Sequence, residues 1–251
     1  MRLNRFLAAC GLGSRRRCDE LIVSDRVRVN DVPGQLGLRV QPGDRVCVDG
    51  VEVHPQPPGA LWMLHKPAGV VCTANDPQGR PTVLDLAERH GIAVRLFPIG
   101  RLDLDTTGLL LLTNDGELSF RLTHPSWGID KEYEARVAEP LSDDEVLSIR
   151  DGIELEDGRT AACRATQELR DTTVIVRLVL HEGRKRQVRR MLAAVGCSVL
   201  GLHRVRIGPI GLGELPEGSM RPLDASEHQA ILRALEAARG ASGQAGRRPP
   251  S

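Results

Sequence analysis

The sequence predicts an α+β protein in two parts, a small N-terminal module followed by a larger mixed domain. Three observations carry this reading. Strand and helix candidates follow one another irregularly, with no repeating β-α unit, which argues against a doubly wound parallel sheet. Leu109-Leu110-Leu111-Leu112, closed by Asn114-Asp115-Gly116, has the pattern of a fully buried strand with a turn after it. Residues 54–60 read His-Pro-Gln-Pro-Pro-Gly-Ala, a stiff extended linker. The expected divisions are therefore 1–53, a linker at 54–60, a domain at 61–238, and a tail at 239–251.

In the N-terminal module, Leu3, Phe6, Leu7 and Cys10 recur at helical spacing. Ser14 can cap a second helix over 15–23, with Leu21 and Ile22 turned inward. Short strands are expected at 27–29 and 45–48, the latter reached through Pro42-Gly43-Asp44. Beyond the linker, strands are expected at 61–65, 97–99, 109–113, 132–138, 173–180 and 198–206. Residues 173–180 are rich in β-branched side chains. Helices are expected at 83–89, 117–123, 142–150, 184–195 and 225–238. The tail is Gly, Ser, Arg and Pro and is expected to be disordered.

Composition narrows the function classes. The chain has 251 residues, 41% apolar, with a net charge of +1. That balance neither requires nor excludes a polyanion, but the charges are unevenly placed. Residues 1–30 carry seven Arg, while Arg184, Lys185, Arg186, Arg189, Arg190, Arg204 and Arg206 fall in a stretch without an acid. The acids cluster elsewhere, at Asp143, Asp144, Glu145, Asp151, Glu154, Glu156 and Asp157. The six Cys show no C-x-x-C spacing and sit among apolar neighbours, so buried free thiols in a reducing compartment are expected, without zinc or disulfides. No apolar run reaches membrane length and no signal-peptide core is present, so a cytoplasmic protein without membrane contact is expected. The chain has no P-loop and no dinucleotide-binding fingerprint.

Four segments can carry chemistry. Asp103 lies on a turn directly before the four-Leu strand, where a carboxylate must be hydrogen-bonded, paired with a cation, or left with a raised pKa. By spacing alone it could be an ordinary turn or cap residue, and Asp105 competes for any catalytic role. His181-Glu182-Gly183-Arg184-Lys185-Arg186-Gln187-Val188-Arg189-Arg190-Met191 offers the cation. Val188, Met191, Leu192 and Val195 form an apolar stripe there, so this basic helix lies on a core. Tyr133, in Lys131-Glu132-Tyr133, is the one Tyr of the chain. A lone Tyr on a strand is most often simple packing. His65-Lys66-Pro67-Ala68-Gly69-Val70-Val71 reads as a strand leaving into a loop. An Asp held by an Arg, on a chain with several basic surfaces, points to chemistry on RNA.

Together these segments resemble the signatures of the RsuA/RluB-type ribosomal RNA pseudouridine synthases. Gly100-Arg101-Leu102-Asp103, followed by Thr106 and Gly108 to Gly116, is similar to the family's catalytic motif, and places its essential carboxylate at Asp103. Glu182 to Arg190 is similar to its third motif, which implies that Arg189 is a buried Arg paired with that Asp. The Lys-x-Tyr match implies that Tyr133 stacks on the target base. The match at 65–71 has His65 in place of the usual Asn, so His65 is given no role. Lys66 either contacts RNA phosphate or supports the floor of the site. Arg184, Lys185, Arg186 and Arg190 would remain free for phosphates, with Arg101 beside them. Asp76 to Val83 and Leu212 to Gly218 also match, so the resemblance covers nearly all of 61–235. It implies a mainly antiparallel mixed sheet flanked by helices.

The N-terminal module resembles the RNA-binding domain named after the fourth protein of the small ribosomal subunit. The match lies in Arg2-Leu3, Phe6-Leu7, Ser14-Arg15-Arg16, Leu21-Ile22 and Arg26 to Asn30. It implies that Arg2, Arg5, Arg15, Arg16 and Arg28 face RNA. Asp25 and Asp31 stand where that family usually has Gly, and Asp tolerates the left-handed turn conformation better than most residues.

The resemblance therefore implies isomerisation of a uridine in ribosomal RNA by an enzyme needing no cofactor or metal, with the nucleotide flipped out of its stack; a monomer is expected. Asp103 would act as nucleophile at carbon 1′ or as base at carbon 2′. His124-Pro125 and Lys131-Glu132-Tyr133 look more like the large-subunit branch, which favours 23S over 16S ribosomal RNA. Two rivals stand beside this reading, a non-catalytic RNA-binding assembly factor on the same scaffold and a hydrolase using Asp103 and Asp105 as an acid–base pair.

Overall fold

The computed structural model describes all residues except 74–75 and 246–251, and the side chains of 240–245 are outside the description as well. The chain divides into two units, Met1–Ala60 with Ile92–Arg95, and Leu61–Gly91 with the remainder.

In the first unit, α1 (Leu3–Ala9) and α2 (Arg15–Val23) pack on four short antiparallel strands. These are β1 (Val27–Val29), β2 (Val32–Pro33), β3 (Val46–Val48) and β4 (Val51–Glu52), in the order β2-β1-β3-β4. Ser14 caps α2 by accepting from the Arg17 N–H at 3.2 Å. Leu3 and Leu7 of α1 meet Cys18, Leu21 and Ile22 of α2 over Val27 and Val46, which closes a small apolar core. Asp25 and Asp31 do take the left-handed conformation, at φ 54° and 66°.

The second unit is built on one nine-stranded mixed sheet. In chain order its main elements are β5 (Leu61–Lys66), α3 (Val83–Arg89), β6 (Phe97–Ile99), β7 (Thr106–Thr113), α4 (Gly116–Thr123) and β8 (Lys131–Val137). Then come α5 (Asp143–Asp151), β9 (Arg164–Arg170), β10 (Thr173–Leu180), α6 (Gln187–Ala194), β11 (Val199–Ile207), β12 (Ile210–Gly211), β13 (Met220–Pro222) and α7 (Ala225–Ala245). The strand order is β13-β5-β7-β11-β8-β10-β9, with β6 on β7 and β12 on β11. All pairings are antiparallel except β7 with β11.

Local chemistry explains where these elements start. Thr82 with Asp85 and Ser142 with Glu145 form reciprocal capping boxes at the N-termini of α3 and α5. Asp115 accepts from the N–H groups of Glu117 and Leu118, so the turn after β7 also caps α4. Leu109, Leu110, Leu111 and Leu112 are each 0% exposed, as a strand covered on both faces requires. Two cores result. One joins Leu109 and Leu111 to Leu118 and Leu122 of α4 and to Ile231 and Leu235 of α7. The other joins β8, β10 and β11 to Val146 and Ile149 of α5 and to Val188, Met191 and Leu192 of α6.

Four expectations need correction. β7 begins at Thr106, before the four-Leu run, because residues 106–108 pair in parallel with Leu202, His203 and Arg204. β9 was not expected at all, since it is a charged edge strand with little apolar alternation. α6 begins at Gln187 instead of 184, because Arg186 has a left-handed backbone at φ 50°. α7 runs on to Ala245 into the tail expected to be disordered, and 246–251 lie outside the described residues. All six Cys are free, three of them buried and three half-buried.

Candidate active site

Three adjacent strands form the floor. Arg204 of β11 lies opposite Gly108 of β7 on one side and opposite Tyr133 of β8 on the other. Cross-strand neighbours share a face, so this row fixes how Tyr133 and the Arg204 guanidinium meet. Gly108 is what lets β7 and β11 approach. Its φ is +105°, and a Cβ there would collide with the backbone of Arg204.

The turn carrying Asp103 leads directly into β7, and the Thr106 N–H donates to the Asp103 carbonyl at 3.1 Å. The Leu102 N–H donates to the Cys72 sulfur at 3.3 Å, and Leu102 itself is buried. Beneath the turn lies Lys66, 0% exposed. Its ammonium donates to the carbonyls of Pro67 at 2.8 Å, Thr106 at 2.9 Å and Leu104 at 3.4 Å. Burial lowers the Lys66 ammonium below the usual lysine range, partly offset by nearby groups that include the carboxylates of Asp105 and Asp103. Lys66 is therefore a support of the floor. Of the two places expected for it, phosphate contact or floor, its burial and its three carbonyl partners match the floor.

The basic segment closes one side of the site. Arg189 is 14% exposed in its side chain, and its Nη2 sits 3.0 Å from Asp105 Oδ2, while Asp103 is beyond ion-pair distance of it. The expected pair of Arg189 with Asp103 is thus corrected to Arg189 with Asp105. The reason is the turn, which opens Asp103 into the cavity and presents Asp105 to α6. Asp103 is a third exposed, and Arg186 Nη1 lies 4.0 Å from its Oδ2 and 3.4 Å from Asp105 Oδ1.

Arg184 and Arg190 are not free for phosphates either. Arg190 pairs with Asp157 at 2.7 Å. Arg184 donates to the carbonyls of Gly158 at 2.7 Å and Arg159 at 2.6 Å, and lies 3.3 Å from Glu182. Asp157, visible in the sequence only as one member of an acidic cluster, is the anchor that ties this loop to the motif. Arg101, Lys185 and Arg186 remain exposed at the rim of the cavity. In the N-terminal unit Arg2, Arg5, Arg15, Arg16 and Arg28 are exposed, and Arg28 also donates to the Asp31 carbonyl at 2.9 Å.

Asp103, Tyr133, Lys131, Arg204 and these rim cations line one cavity of about 520 Å³, within the usual range for ligand sites. Sequence reading missed two of these residues. Arg204, 3% exposed, was counted as part of a basic surface, although its place two residues after Leu202 puts both side chains on the same face of a strand. Lys131 donates to the Ile129 carbonyl at 2.9 Å. Burial, then Arg204, bring its ammonium down to about 8. The arrangement offers a carboxylate, an aromatic face, a buried Arg and a half-buried Lys around a space for a planar ring.

Known proteins resemble this chain over most of its length. Residues 60–194 match the family described as RNA pseudouridylate synthase, and residues 1–50 match the S4 domain. Ribosomal large subunit pseudouridine synthase B of Bacillus subtilis is 41% identical over 238 residues, which cover 93% of this chain and 96% of that protein. An uncharacterized RNA pseudouridine synthase of Aquifex aeolicus is 40% identical over 240 residues, covering 94% and 95%. A crystal structure of a pseudouridylate synthase superposes with a TM-score of 0.66 at 34% identity, over 92% of this chain and 99% of that one.

Proposed function

The chain belongs to the RNA pseudouridylate synthase family, and we propose that it converts one uridine of 23S ribosomal RNA to pseudouridine with Asp103 as the essential carboxylate. The observation that carries this is the shared cavity, where Asp103 and Tyr133 meet under a rim of Arg101, Lys185 and Arg186. Those exposed cations suit the phosphates on either side of an extruded nucleotide. Flipping that nucleotide costs a few kcal/mol, and stacking on Tyr133 returns about 1–3 kcal/mol per base. Asp103 then faces the ribose, as nucleophile at carbon 1′ or as base at carbon 2′.

The overall change is an isomerisation. The bond from carbon 1′ to nitrogen 1 is exchanged for one from carbon 1′ to carbon 5, and the proton lost from carbon 5 is matched by one gained at nitrogen 1. Atoms and electrons balance without a further reactant. The N-terminal unit, with its exposed Arg2, Arg5, Arg15, Arg16 and Arg28, supplies a second grip on folded RNA. Large-subunit RNA is favoured because the Bacillus subtilis relative carries that designation. Among the described residues no helix is long and apolar enough to cross a membrane, and the reading places a monomeric enzyme in the cytoplasm with ribosomal RNA as its partner.

Pseudouridine-specific sequencing of ribosomal RNA, from cells with and without this chain, tests the proposal. One 23S position is expected to lose its pseudouridine and to regain it on complementation. Loss at a 16S position would move the substrate to the small subunit, and an unchanged profile would overturn the reading.

A further inference from the structure

Arg204 carries a charge that the fold does not neutralise. Its Nε donates to the Leu109 carbonyl at 2.7 Å and its Nη1 reaches the Tyr133 hydroxyl at 3.4 Å. Its Nη2 is buried with no hydrogen-bond partner. Among the described residues no carboxylate lies within ion-pair distance of it, yet the residue is 3% exposed and lines the cavity shared by Asp103 and Tyr133. A buried cation without a counter-anion is costly to hold. Lys131, a second cation on the same cavity, feels it, since the Arg204 charge helps to lower the Lys131 ammonium.

Resting on the synthase reading, we infer that Arg204 is a further catalytic residue, which donates from Nη2 to a carbonyl oxygen of the flipped uracil and stabilises the negative charge the base gains when its glycosidic bond breaks. Whichever way Asp103 acts, the bond from carbon 1′ to nitrogen 1 breaks with its electron pair on the base. The charge spreads over nitrogen 1 and the two carbonyl oxygens. It is discharged when carbon 5 bonds to carbon 1′, the carbon 5 proton leaves, and nitrogen 1 takes up a proton. A preorganised buried donor aimed at developing charge is worth far more than the same donor in water.

Depth in the cavity selects the base over a phosphate as the partner. The rim cations Arg101, Lys185 and Arg186 are solvent-exposed, where a phosphate can keep part of its hydration. Arg204 sits instead beside the Tyr133 ring, its guanidinium carbon 5.9 Å from the ring centroid. A pyrimidine resting on that ring lies next to this guanidinium, whose Nη2 has no protein partner and becomes a donor to the base with a small turn of the side chain.

The test compares two transcripts of 23S ribosomal RNA, one made with uridine and one with 5-fluorouridine, in single-turnover reactions of the full-length protein. After digestion, liquid chromatography and mass spectrometry measure pseudouridine from the first RNA and, because carbon 5 of the fluorinated base has no proton to lose, the rearranged nucleoside with water added at carbon 6 and nitrogen 1 from the second. Fluorine makes the base a better leaving group, so it needs less help from a cation. Arg204→Gln is expected to slow the uridine reaction by about 100-fold or more, to slow the fluorinated one by clearly less, and to leave RNA affinity near wild type. Arg204→Lys, which keeps the charge, is expected to recover part of the loss. Should the Gln variant fail to fold, the Lys variant carries the same comparison, with a smaller loss on the fluorinated RNA. Equal slowing on both RNAs, which a merely structural role would give, overturns the inference alone. A wild-type protein inactive on both overturns the synthase reading beneath it.

Discussion

Arg189 holds Asp105, with its Nη2 3.0 Å from the carboxylate, and leaves Asp103 open to the cavity. Two nearby carboxylates on one turn thus have different surroundings. Asp105, also 3.4 Å from Arg186 Nη1, ties the turn to the basic segment. A hydrolase using both carboxylates as an acid–base pair loses its second partner to this arrangement. Asp105→Asn and Arg189→Met are each expected to slow turnover by about tenfold, and the double variant by little more, because contacting residues are not additive. Single-turnover rates of the three variants check this, and fully additive losses would contradict it.

Lys66 is expected to behave as a structural residue. Lys66→Met removes the one donor shared by the carbonyls of Pro67, Thr106 and Leu104. A loss of roughly 2–4 kcal/mol in urea unfolding is expected. The salt dependence of RNA binding should stay at the wild-type slope, since a buried ammonium releases no counterions. A shallower slope with normal stability would return Lys66 to the phosphate contacts.

Lys131 gives a pH signature. Its ammonium titrates at about 8, chiefly through burial and then Arg204, with Asp130 opposing, against an ordinary value of 10.5. Between these values the unfolded chain binds more protons than the folded one, so stability rises with pH across that window. Below pH 8 this contribution is lost. Lys131→Met should flatten the rise, by at most about 3 kcal/mol from the size of the shift. Urea unfolding of both proteins at pH 7.5, 9 and 10.5 measures the difference, and parallel curves would contradict it.

Gly108 permits the parallel pairing that brings Arg204 to the cavity it shares with Asp103. Gly108→Ala combines a φ of +105° with a collision against the Arg204 backbone. It is expected to cost about 3 kcal/mol or more. Gly69→Ala, at φ +80° with nothing within 4 Å of a new Cβ, should cost only about 1–2 kcal/mol for the left-handed backbone. Thermal unfolding of the pair separates collision from strain, and equal costs would contradict the close-approach argument.

Much of this was legible from local sequence, and the exceptions share a cause. α3 lies at the bounds expected from the sequence, 83–89, and Thr82 and Asp85 start it there with a capping box made within a few residues. The four-Leu strand and the Asp103 turn were equally plain. What sequence could not supply were partners set by strand order. Arg204 reads as a surface cation and Lys66 as either a phosphate contact or a floor residue, and the packing of β11 against β7 and the turn over β5 make both buried. The choice of Asp105 over Asp103 as partner of Arg189 is likewise a matter of which way a turn faces, and spacing does not encode it. β9 escaped notice because an edge strand carries charge in place of apolar alternation.

The most direct test of the central claim is tritium release from 23S ribosomal RNA labelled at carbon 5 of uridine, measured for wild type, Asp103→Asn and Asp105→Asn. The account predicts release by wild type, reduced but measurable release by Asp105→Asn, and none by Asp103→Asn despite unchanged RNA binding. Release at the wild-type rate by Asp103→Asn would contradict it.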